Sequence, residues 1–470
     1  MPRDGFLTTR IAASIAAGAA ALLAGALILG GIVQPALFDA AWLERRIGER
    51  FGPGYEVGID EMRLGMFASS VEVSGISVRP HRPATDSMRG DSASVRGRLQ
   101  VAEVSLQGLD YWHLLTRWRI RYRSGLVREP SLEICLPPSD RRSASAPGEK
   151  RSGRRPSGGN APPSGISSIS RIGALRVADG DLTVRRRGRR FPLGSWLGLS
   201  LRAREVGFDS DSFSSIDRLE YDALSFRVEQ FERISDEGFY RLSAAKIAGA
   251  THTGTLEVGE VRFDPRYAPA AFMDRLTERD AMYRTSLRSL RLEGLAYDRL
   301  LGGDVIARHV VVDSARTEIV LDRRVPDTPE PPPVLPHRWA QQTGRIVRVD
   351  SARVEHARVR YAMHPESGAG AGHLNFAGVS LELRGLAVNS ARSDPIRPAV
   401  AVAAGRLAGT GPFRFILHVP LHSPDFSFRY RLAVGRFELG RLDSILVPAS
   451  GLSLEEGTID TLRAEAVVRG

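Results

Sequence analysis

Alternation of apolar and polar residues with a period of two runs through most of this chain, and it constrains the fold more than any other feature. It is clearest at residues 413–419 (FRFILHV) and 426–432 (FSFRYRL), and it recurs at 71–78 and 224–228. Successive side chains of a strand point to opposite faces, so each run predicts a strand with one apolar and one polar face. Gly, Asp and Ser turns separate the runs, which indicates antiparallel pairing of consecutive strands. We therefore expect a mostly β fold of elongated antiparallel modules, forming a curved sheet or groove, with a few short helices.

A segment of roughly thirty residues occurs twice and divides the chain. The first copy, Leu106–Ile134, contains Leu-x-Gly-Leu followed by Tyr111 and a pair of leucines, and the second copy, Leu292–Ile319, repeats these features around Tyr297. Each copy is predicted to be a strand, a glycine kink, a short helical turn and two further strands. Because the segment holds no residues arranged for catalysis, we interpret it as a scaffold unit that ends one sheet segment and begins the next.

Ile11–Val33 is an uncharged segment of 23 residues near the N-terminus. At 1.5 Å per residue, a helix of this length can cross a hydrocarbon core of about 30 Å. Secretory signals have a shorter apolar region, so a retained anchor is favoured over a cleaved signal. Arg3 and Arg10, opposed only by Asp4, favour a cytoplasmic tail of residues 1–10. The rest of the chain is then expected outside the cytoplasm.

Two segments of low complexity divide the remaining chain. Residues 137–166 are rich in Pro, Ser, Gly and Arg, and they are predicted to form a disordered basic loop because they offer little apolar surface to bury. Residues 326–340 form a proline-rich linker, in which consecutive prolines favour an extended backbone. The predicted modules are a membrane-proximal β module at 34–136, a second at 167–325 and a third at 341–470.

One amphipathic helix is expected within the second module, at 269–284 (PAAFMDRLTERDAMYR). Pro269 suits the first turn of a helix. Phe272, Leu276 and an apolar residue at 282 or 283 would give the helix one apolar stripe. Such a stripe usually packs against a core, so we do not interpret it as a partner site.

No arrangement of residues in the chain is typical of an enzyme, a metal site or a bound cofactor. Neither of the two lysines follows a glycine, which excludes a GxxxxGK phosphate loop, and no GxSxG or HExxH motif is present. His418 and His422 are four residues apart, but Pro420 favours a strand and turn there over a helix that would place both on one face. Cys135 is the only cysteine, which excludes an internal disulfide and a thiolate zinc site.

The net charge of +11 comes almost entirely from arginine, and the arginines alternate with Asp and Glu along the strands. This distribution favours a generally solvated surface over a nucleic-acid site. Residues 185–190 (RRRGRR) could attract anionic phosphate groups, but a solvated β-turn is the favoured interpretation. No nucleic-acid partner is predicted.

The apolar faces of the strands must either be buried against a second sheet or line an open trough. A sandwich would bury them as an ordinary core, whereas an apolar surface left open usually marks a partner or ligand, and an apolar trough suits acyl chains. Alternation alone does not choose between the two. If the trough exists, the candidate lining residues are Val71, Val73, Val101, Leu106, Phe226, Val228, Phe413, Phe415 and Leu417.

The N-terminal pattern resembles that of bacterial AsmA-like proteins. The resemblance rests on the apolar anchor, on VGIDEMRLGMFASSVEVSGISV, VAEVSLQGLDYWHLL and VREPSLEICL, and on a final strand in which Pro130 precedes Leu132, Ile134 and Leu136. The second copy of the repeat, with VDSARVEHARVRY after it, resembles the later repeats of that family. These are degenerate β motifs that cover most of the chain. The basic loop at 137–166 and the modest length depart from the family pattern.

The resemblance implies a single-pass protein of the bacterial inner membrane whose bulk lies in the periplasm and takes part in envelope biogenesis. TamB-like and bridge-like lipid-transfer relatives imply a β groove that carries phospholipid between the inner and outer membranes. The expected partners are the inner membrane, phospholipid acyl chains and envelope or outer-membrane proteins. The alternative is a non-catalytic envelope assembly or scaffold protein whose apolar faces are buried and whose surface binds other proteins.

Overall fold

The computed structural model describes residues 40–51, 54–65, 69–81, 96–110, 121–138, 169–209, 220–326, 344–366, 370–389, 398–421, 427–454 and 456–468. Strands predominate in these residues and the helices are few and short, so the prediction of a mostly β fold is confirmed. The membrane-spanning segment predicted at Ile11–Val33 lies outside these residues. No helix in the described part of the chain is long and apolar enough to cross a membrane.

Contacts divide the described residues into two units. The N-terminal unit comprises Ile11–Leu193 and Leu199–Leu224, and the C-terminal unit comprises Gly194–Gly198 and Ser225–Gly470. The basic loop predicted at 137–166 and the linker predicted at 326–340 lie almost wholly outside the described residues.

The described part of the N-terminal unit is a mixed sheet with one helix at its start. Its elements are α1 (Ala40–Phe51), β1 (Tyr55–Gly58), β2 (Glu61–Leu64), β3 (Ser70–Pro80), β4 (Arg96–Leu109), β5 (Arg121–Arg128), β6 (Ser131–Leu136), β7 (Ile169–Arg186) and most of β8 (Gly194–Asp209). Strand β3 pairs with β1, β2 and β4, and β4 pairs with both β5 and β6. Strand β7 runs parallel to both β5 and β6, so these two occupy one strand position that is interrupted at Glu129 and Pro130.

A residue with a left-handed backbone shifts the apolar pattern of these strands by one position. In β3 the buried side chains are Val71 and Val73 before Gly75, and Ile76 and Val78 after it. Gly75 has φ +64°, and a Cβ atom there would lie 2.6 Å from the Cβ of a neighbouring aspartate. The extra residue turns the strand so that the apolar side chains stay on the same face.

The same shift occurs at the same level in the neighbouring strands. Glu129 (φ +47°) and Asp179 (φ +55°) are aligned in the parallel pairing of β5 and β6 with β7. The Glu129 N–H donates to the Ala178 carbonyl at 2.8 Å. Because the apolar pattern shifts at the same level in these neighbouring strands, the pairing register continues unchanged past that level.

The C-terminal unit is a longer sheet of consecutive strands. Its elements are β9 (Ala223–Ile234), β10 (Tyr240–Ala250), β11 (Thr255–Pro265), α2 (Pro269–Met273), β12 (Ala281–Glu293), α3 (Tyr297–Leu301), β13 (Val305–Asp322), β14 (Val347–His364), β15 (Gly372–Val388), β16 (Ala399–Leu407), β17 (Gly411–Val419), β18 (Phe428–Val434), β19 (Phe437–Glu438), a 3-10 turn (Leu439–Leu442), α4 (Asp443–Ser450), β20 (Thr458–Ile459) and β21 (Leu462–Val468). Strands β9 to β18 pair in sequence order and β21 pairs with β18; only β13 and β14 pair in parallel.

The expectation of wholly antiparallel modules is therefore wrong at two places, one in each unit. Strand β7 is parallel to β5 and β6, and β14 is parallel to β13. Parallel neighbours need a crossover connection of a dozen or more residues, whereas antiparallel neighbours need only a tight turn. The two segments of low complexity lie in these connections, at 137–168 and 323–346. Each of these connections joins two strands that pair with each other.

The sequence repeat corresponds to a structural repeat at its glycine. Gly108 (φ +72°) lies at the end of β4, and Gly294 (φ +64°) directly follows β12. A Cβ atom at Gly108 would lie 2.9 Å from Cβ of Arg123, and one at Gly294 would lie 3.0 Å from Cβ of Arg308. The predicted helical turn is α3 in the second copy. In the second copy, the two strands expected after the helical turn form a single strand, β13.

The helix expected at 269–284 is much shorter than predicted. Helix α2 ends at Met273, and the apolar residue expected to close its stripe, Met282, lies in β12. Met282 still packs with Phe272 in one buried cluster. The pairing of β12 with both β11 and β13 therefore outweighs the local helical pattern, which is the usual result when long-range partners compete with local propensity.

Candidate functional site

The nine candidate lining residues fall into two sets with different surroundings. Val71, Val73, Val101 and Leu106 belong to β3 and β4, where Val71 is the cross-strand partner of Leu106. Their exposed fractions are 0–2%, so they form part of a buried core. The described structure of the N-terminal unit therefore offers no open apolar surface at these four positions.

The other five candidates lie on the C-terminal sheet. Phe226 and Val228 alternate on β9, and Phe413, Phe415 and Leu417 alternate on β17. Val228 is 4% exposed, whereas the other four are partly exposed. Strand pairing connects the two groups, because Phe226 and Leu417 stand at the same level of the sheet.

We call this level the apolar row, since each of eleven paired strands contributes one uncharged residue to it. In the order of pairing, the row consists of Phe226, Gly249, Leu256, Leu292, Val310, Ala352, Leu383, Ala401, Leu417, Tyr430 and Ala466. Gly249 is buried and the others are partly exposed. With strands about 4.8 Å apart, the row is roughly 50 Å long.

Aromatic rings stand on the same face beside the row. The Phe415 and Tyr430 ring centroids are 5.7 Å apart, and those of Phe376 and Phe413 are also 5.7 Å apart. Gly405 lies beneath the second pair, and a Cβ atom there would come within 3.0 Å of the Phe413 ring. These distances suit edge and tilted aromatic packing.

Strand β16 forms a low floor between these rings. Its residues on the apolar face, Ala399, Ala401, Ala403 and Gly405, are all small. The neighbouring strands β15 and β17 carry leucine and phenylalanine at the paired positions. The side chains therefore leave a shallow channel along β16.

At the β9 end, Phe226 packs edge-on against Tyr297 of α3, with centroids 6.2 Å apart. Gly249 makes room for both side chains, since a Cβ atom there would lie 2.5 Å from the Phe226 ring and 2.5 Å from the Tyr297 hydroxyl oxygen. The Tyr297 hydroxyl donates to the carbonyl of Thr255, and burial raises the pKa of this hydroxyl above its ordinary value. The row thus ends at an anchored aromatic pair.

Among the described elements, α3 contacts the β9 end of the apolar row through Tyr297. Most contacts of the strands are with their hydrogen-bonded neighbours, and the short helices contact strands locally, as α4 does against β14 and β15. There a Cβ atom on Gly372 would lie 3.2 Å from the Ile445 backbone. The partial exposure of the row follows from this arrangement.

The opposite face of the same sheet carries cross-strand ion pairs, except at one end, where Met282, Val320 and Ala362 are buried against α2. Cross-strand ion pairs join Arg284 to Glu318 at 2.9 Å, Arg431 to Glu465 at 3.0 Å and Arg291 to Glu257 at 2.8 Å. These side chains are mostly solvent-exposed, so each pair adds little stability. These exposed charged side chains make this face hydrophilic.

In the N-terminal unit, a depression of about 350 Å³ lies on a charged surface and is lined by Glu61, Arg63, Glu72, Ser74, Ala102, Glu103, Arg128 and Glu129. Arg128 pairs with Glu103 at 3.1 Å there. Four glutamates and two arginines line the depression, and this charged lining does not suit an acyl chain. Among the described residues no three His, Cys, Asp or Glu side chains are grouped to hold a metal ion.

The remaining motifs singled out in the sequence have ordinary surroundings where they are described. His418 lies on β17, and His422 lies outside the described residues. Arg185 pairs with Glu133 at 2.9 Å, and the residues after Arg186 form a turn. Cys135 is a half-buried free thiol on β6.

The apolar row could have been found from the sequence only with the phase shift included. Runs of strict alternation identify Phe413, Phe415 and Leu417 as members of one face, but they do not assign Leu256, Leu292 or Val310 to that face. The sequence signal for these three residues is two alternating apolar residues, a gap of two residues, and two more alternating apolar residues. Leu256, Val258, Val261 and Phe263 show this spacing. In β11 the left-handed Glu260 causes that spacing.

Comparison with known proteins gives no relative: no family model matches the chain, and no curated protein matches it either.

Proposed function

We propose that the protein handles phospholipid, with acyl chains lying on the apolar face of the C-terminal sheet. The observation that carries the proposal is the apolar row itself, which is partly exposed on ten of its eleven strands, while cross-strand ion pairs lie on the opposite face. An exposed apolar surface of this extent favours a ligand or partner. In the proposed function, the segment Ile11–Val33 anchors the protein in a bacterial inner membrane, and the sheet works in the periplasm during envelope biogenesis.

Energetics favour a shielding surface over passage through water. Moving an acyl chain from a bilayer into water costs about 0.8 kcal/mol for each CH₂ group exposed. Moving it onto an apolar protein surface avoids that cost for the part of the acyl chain that the surface covers. A continuous apolar row is suited to this shielding because an acyl chain can move along it without crossing charged side chains. Transfer between the inner and outer membranes would use this property.

The N-terminal unit favours a different role for its own apolar residues. Val73 and Ile134 are 0% exposed, as in an ordinary closed core. This observation supports the alternative function, a non-catalytic assembly or scaffold protein that binds other envelope proteins, for the N-terminal part of the chain. The two functions are compatible if the N-terminal unit supports the C-terminal sheet.

Quantification of phospholipid that co-purifies with the full chain tests the proposal. Phe415→Glu places a charge on the apolar face, and Ile416→Glu places the same charge one residue away on the opposite face. Lipid around the membrane anchor is common to all three proteins, so differences report on the sheet. We expect the ratio of phospholipid to protein to fall in Phe415→Glu and to be unchanged in Ile416→Glu. Equal ratios in all three proteins would exclude the sheet as a lipid site.

The location of the chain is tested separately. A reporter enzyme that is active only outside the cytoplasm, fused after Arg50, is expected to be active. A fusion that is active only as a cytoplasmic reporter would contradict the proposed orientation, and it would leave no route for the sheet to act in the periplasm.

A further inference from the structure

Strand β21 is an edge of the C-terminal sheet. It pairs with β18 on one side, from Phe428 with Val468 to Val434 with Leu462. On its other side no strand in the described part of the chain is registered against it. The N–H and C=O groups on that side are available to another strand, and Leu462 and Val467 are 42% and 53% exposed. An open edge of this kind is a template for strand addition.

The sheet faces restrict which strand can be added without disrupting the apolar surface. Leu462, Ala464 and Ala466 lie on the apolar face, and Arg463 and Glu465 lie on the charged face. Residues directly opposite in a pair share a face. An added strand must therefore present small or apolar residues opposite the first set and complementary charges opposite the second.

A second copy of β21 meets this requirement in one antiparallel register. With Ala464 opposite Ala464, each Arg463 stands opposite Glu465 of the other copy, and Leu462 stands opposite Ala466. Moving the centre to residue 463 or 465 would instead place two arginines or two glutamates opposite each other. Shifting by one residue would place the apolar face of one copy beside the charged face of the other. The register centred on Ala464 satisfies both faces.

The charges available at the edge favour this partner. Glu465 already accepts from Arg431 at 3.0 Å, whereas Arg463 has no ion-pair partner among the described residues. Pairing with a second copy gives each Arg463 a carboxylate, and a two-fold axis makes the contact twice. Such an interface is isologous and closes on itself.

We propose that two copies of the chain associate through antiparallel pairing of their β21 strands, centred on Ala464. The paired sheets then present one continuous apolar face. A seven-residue edge buries less surface than a stable dimer needs, so association is expected to depend on protein concentration. This inference goes beyond the proposed function and does not depend on lipid binding.

Site-specific disulfide formation tests the register in the full chain purified in mild detergent. Cys135→Ser removes the native thiol, and Ala464→Cys or Ala466→Cys adds one on the same strand and face. Opposed Cα atoms in an antiparallel pair are about 4.5–5.5 Å apart, within disulfide range. Two residues at position 466 would be roughly 13 Å apart along the strand and could not bridge. We expect oxidised dimer for Ala464→Cys at a yield at least five-fold above Ala466→Cys.

Charge reversal then tests complementarity in the Ala464→Cys background. Arg463→Glu should lower the yield of disulfide several-fold, and Arg463→Glu combined with Glu465→Arg should restore it. Circular dichroism of each variant shows whether the strands remain folded. Equal disulfide yields at 464 and 466, absence of disulfide at 464 in a folded protein, or a yield unaffected by Arg463→Glu would each overturn the proposal.

Discussion

Ser314 and His356 stand at the same level of two neighbouring parallel strands, and both have a left-handed backbone, with φ +52° and +53°. Glu129 and Asp179 have the same relationship in the N-terminal unit. Each pair lies where the apolar pattern changes phase, so both units use the same arrangement to keep one apolar face along strands of up to eighteen residues. Non-glycine residues in this conformation cost about 1–2 kcal/mol, which makes the arrangement testable.

Substitution of Ser314 tests the backbone conformation. Glycine adopts positive φ without a steric penalty, whereas valine is strongly disfavoured there. We expect Ser314→Gly to leave the free energy of unfolding unchanged within about 1 kcal/mol, and Ser314→Val to lower it by about 2 kcal/mol. Chemical denaturation measures both. Arg316→Gly, in extended backbone on the same strand, should be destabilising, and a greater loss for Ser314→Gly than for Arg316→Gly would contradict the assignment.

The glycine of the repeat is expected to tolerate no side chain. Gly294→Ala adds both the strain of φ +64° and a contact with the base of the Arg308 side chain. Gly385→Ala adds the strain of φ +72° alone, since nothing lies within 4 Å of its Cβ position. The unfolding free energy should fall by about 1–2 kcal/mol in Gly385→Ala and by more in Gly294→Ala. Equal losses would show that the contact with Arg308 is unimportant.

Asp322 gives a pH-dependent contribution to stability. It is 3% exposed, and a hydrogen bond from the Arg324 guanidinium holds the pKa of its carboxyl below the ordinary value. A lowered pKa in the folded state stabilises the fold above the unfolded pKa of about 3.9, and this contribution disappears as pH falls through the folded value. Asp322→Asn should therefore cost about 2 kcal/mol at pH 7. The difference from wild type should shrink below pH 4, and a cost independent of pH would contradict the ionic assignment.

The two sets of candidate residues should respond differently to a buried charge. Val73→Glu places a carboxylate in a closed core, where an unpaired charge is strongly unfavourable, and we expect loss of the folded state of the N-terminal unit. Phe415→Glu lies on the partly exposed face and should leave the strand content unchanged by circular dichroism. If Phe415→Glu unfolds the C-terminal unit, its apolar face is a closed core and the lipid proposal is wrong.

Much of the fold was accessible from the sequence because strand alternation is local. The runs around Val71, Phe226 and Phe415 identify strands correctly, and the two copies of the repeat identify matching kinks at Gly108 and Gly294. The phase shift is not evident from the sequence because left-handed residues such as Lys246, Glu260 and His356 are not glycine and carry no turn signal. Glycine is the usual marker of positive φ.

The remaining differences depend on contacts between residues that are distant in sequence. The parallel pairing of β13 with β14 leaves no signature within either strand; only the long connection at 323–346 indicates it, and that segment was interpreted as a linker. The helix expected to continue to residue 284 ends at Met273 because β12 pairs on both sides. Burial of the four β3 and β4 candidates likewise depends on packing that alternation does not encode.

Photo-crosslinking to phospholipid tests the central claim most directly. A photoreactive phenylalanine analogue at position 415 faces the apolar row, and the same analogue at position 416 faces the charged side of the same strand. In cells labelled in their phospholipids, the account predicts a lipid adduct at 415 and none, or far less, at 416, with no adduct at the buried position 73. Equal labelling at 415 and 416, or no lipid adduct at 415 in a folded protein, would contradict it.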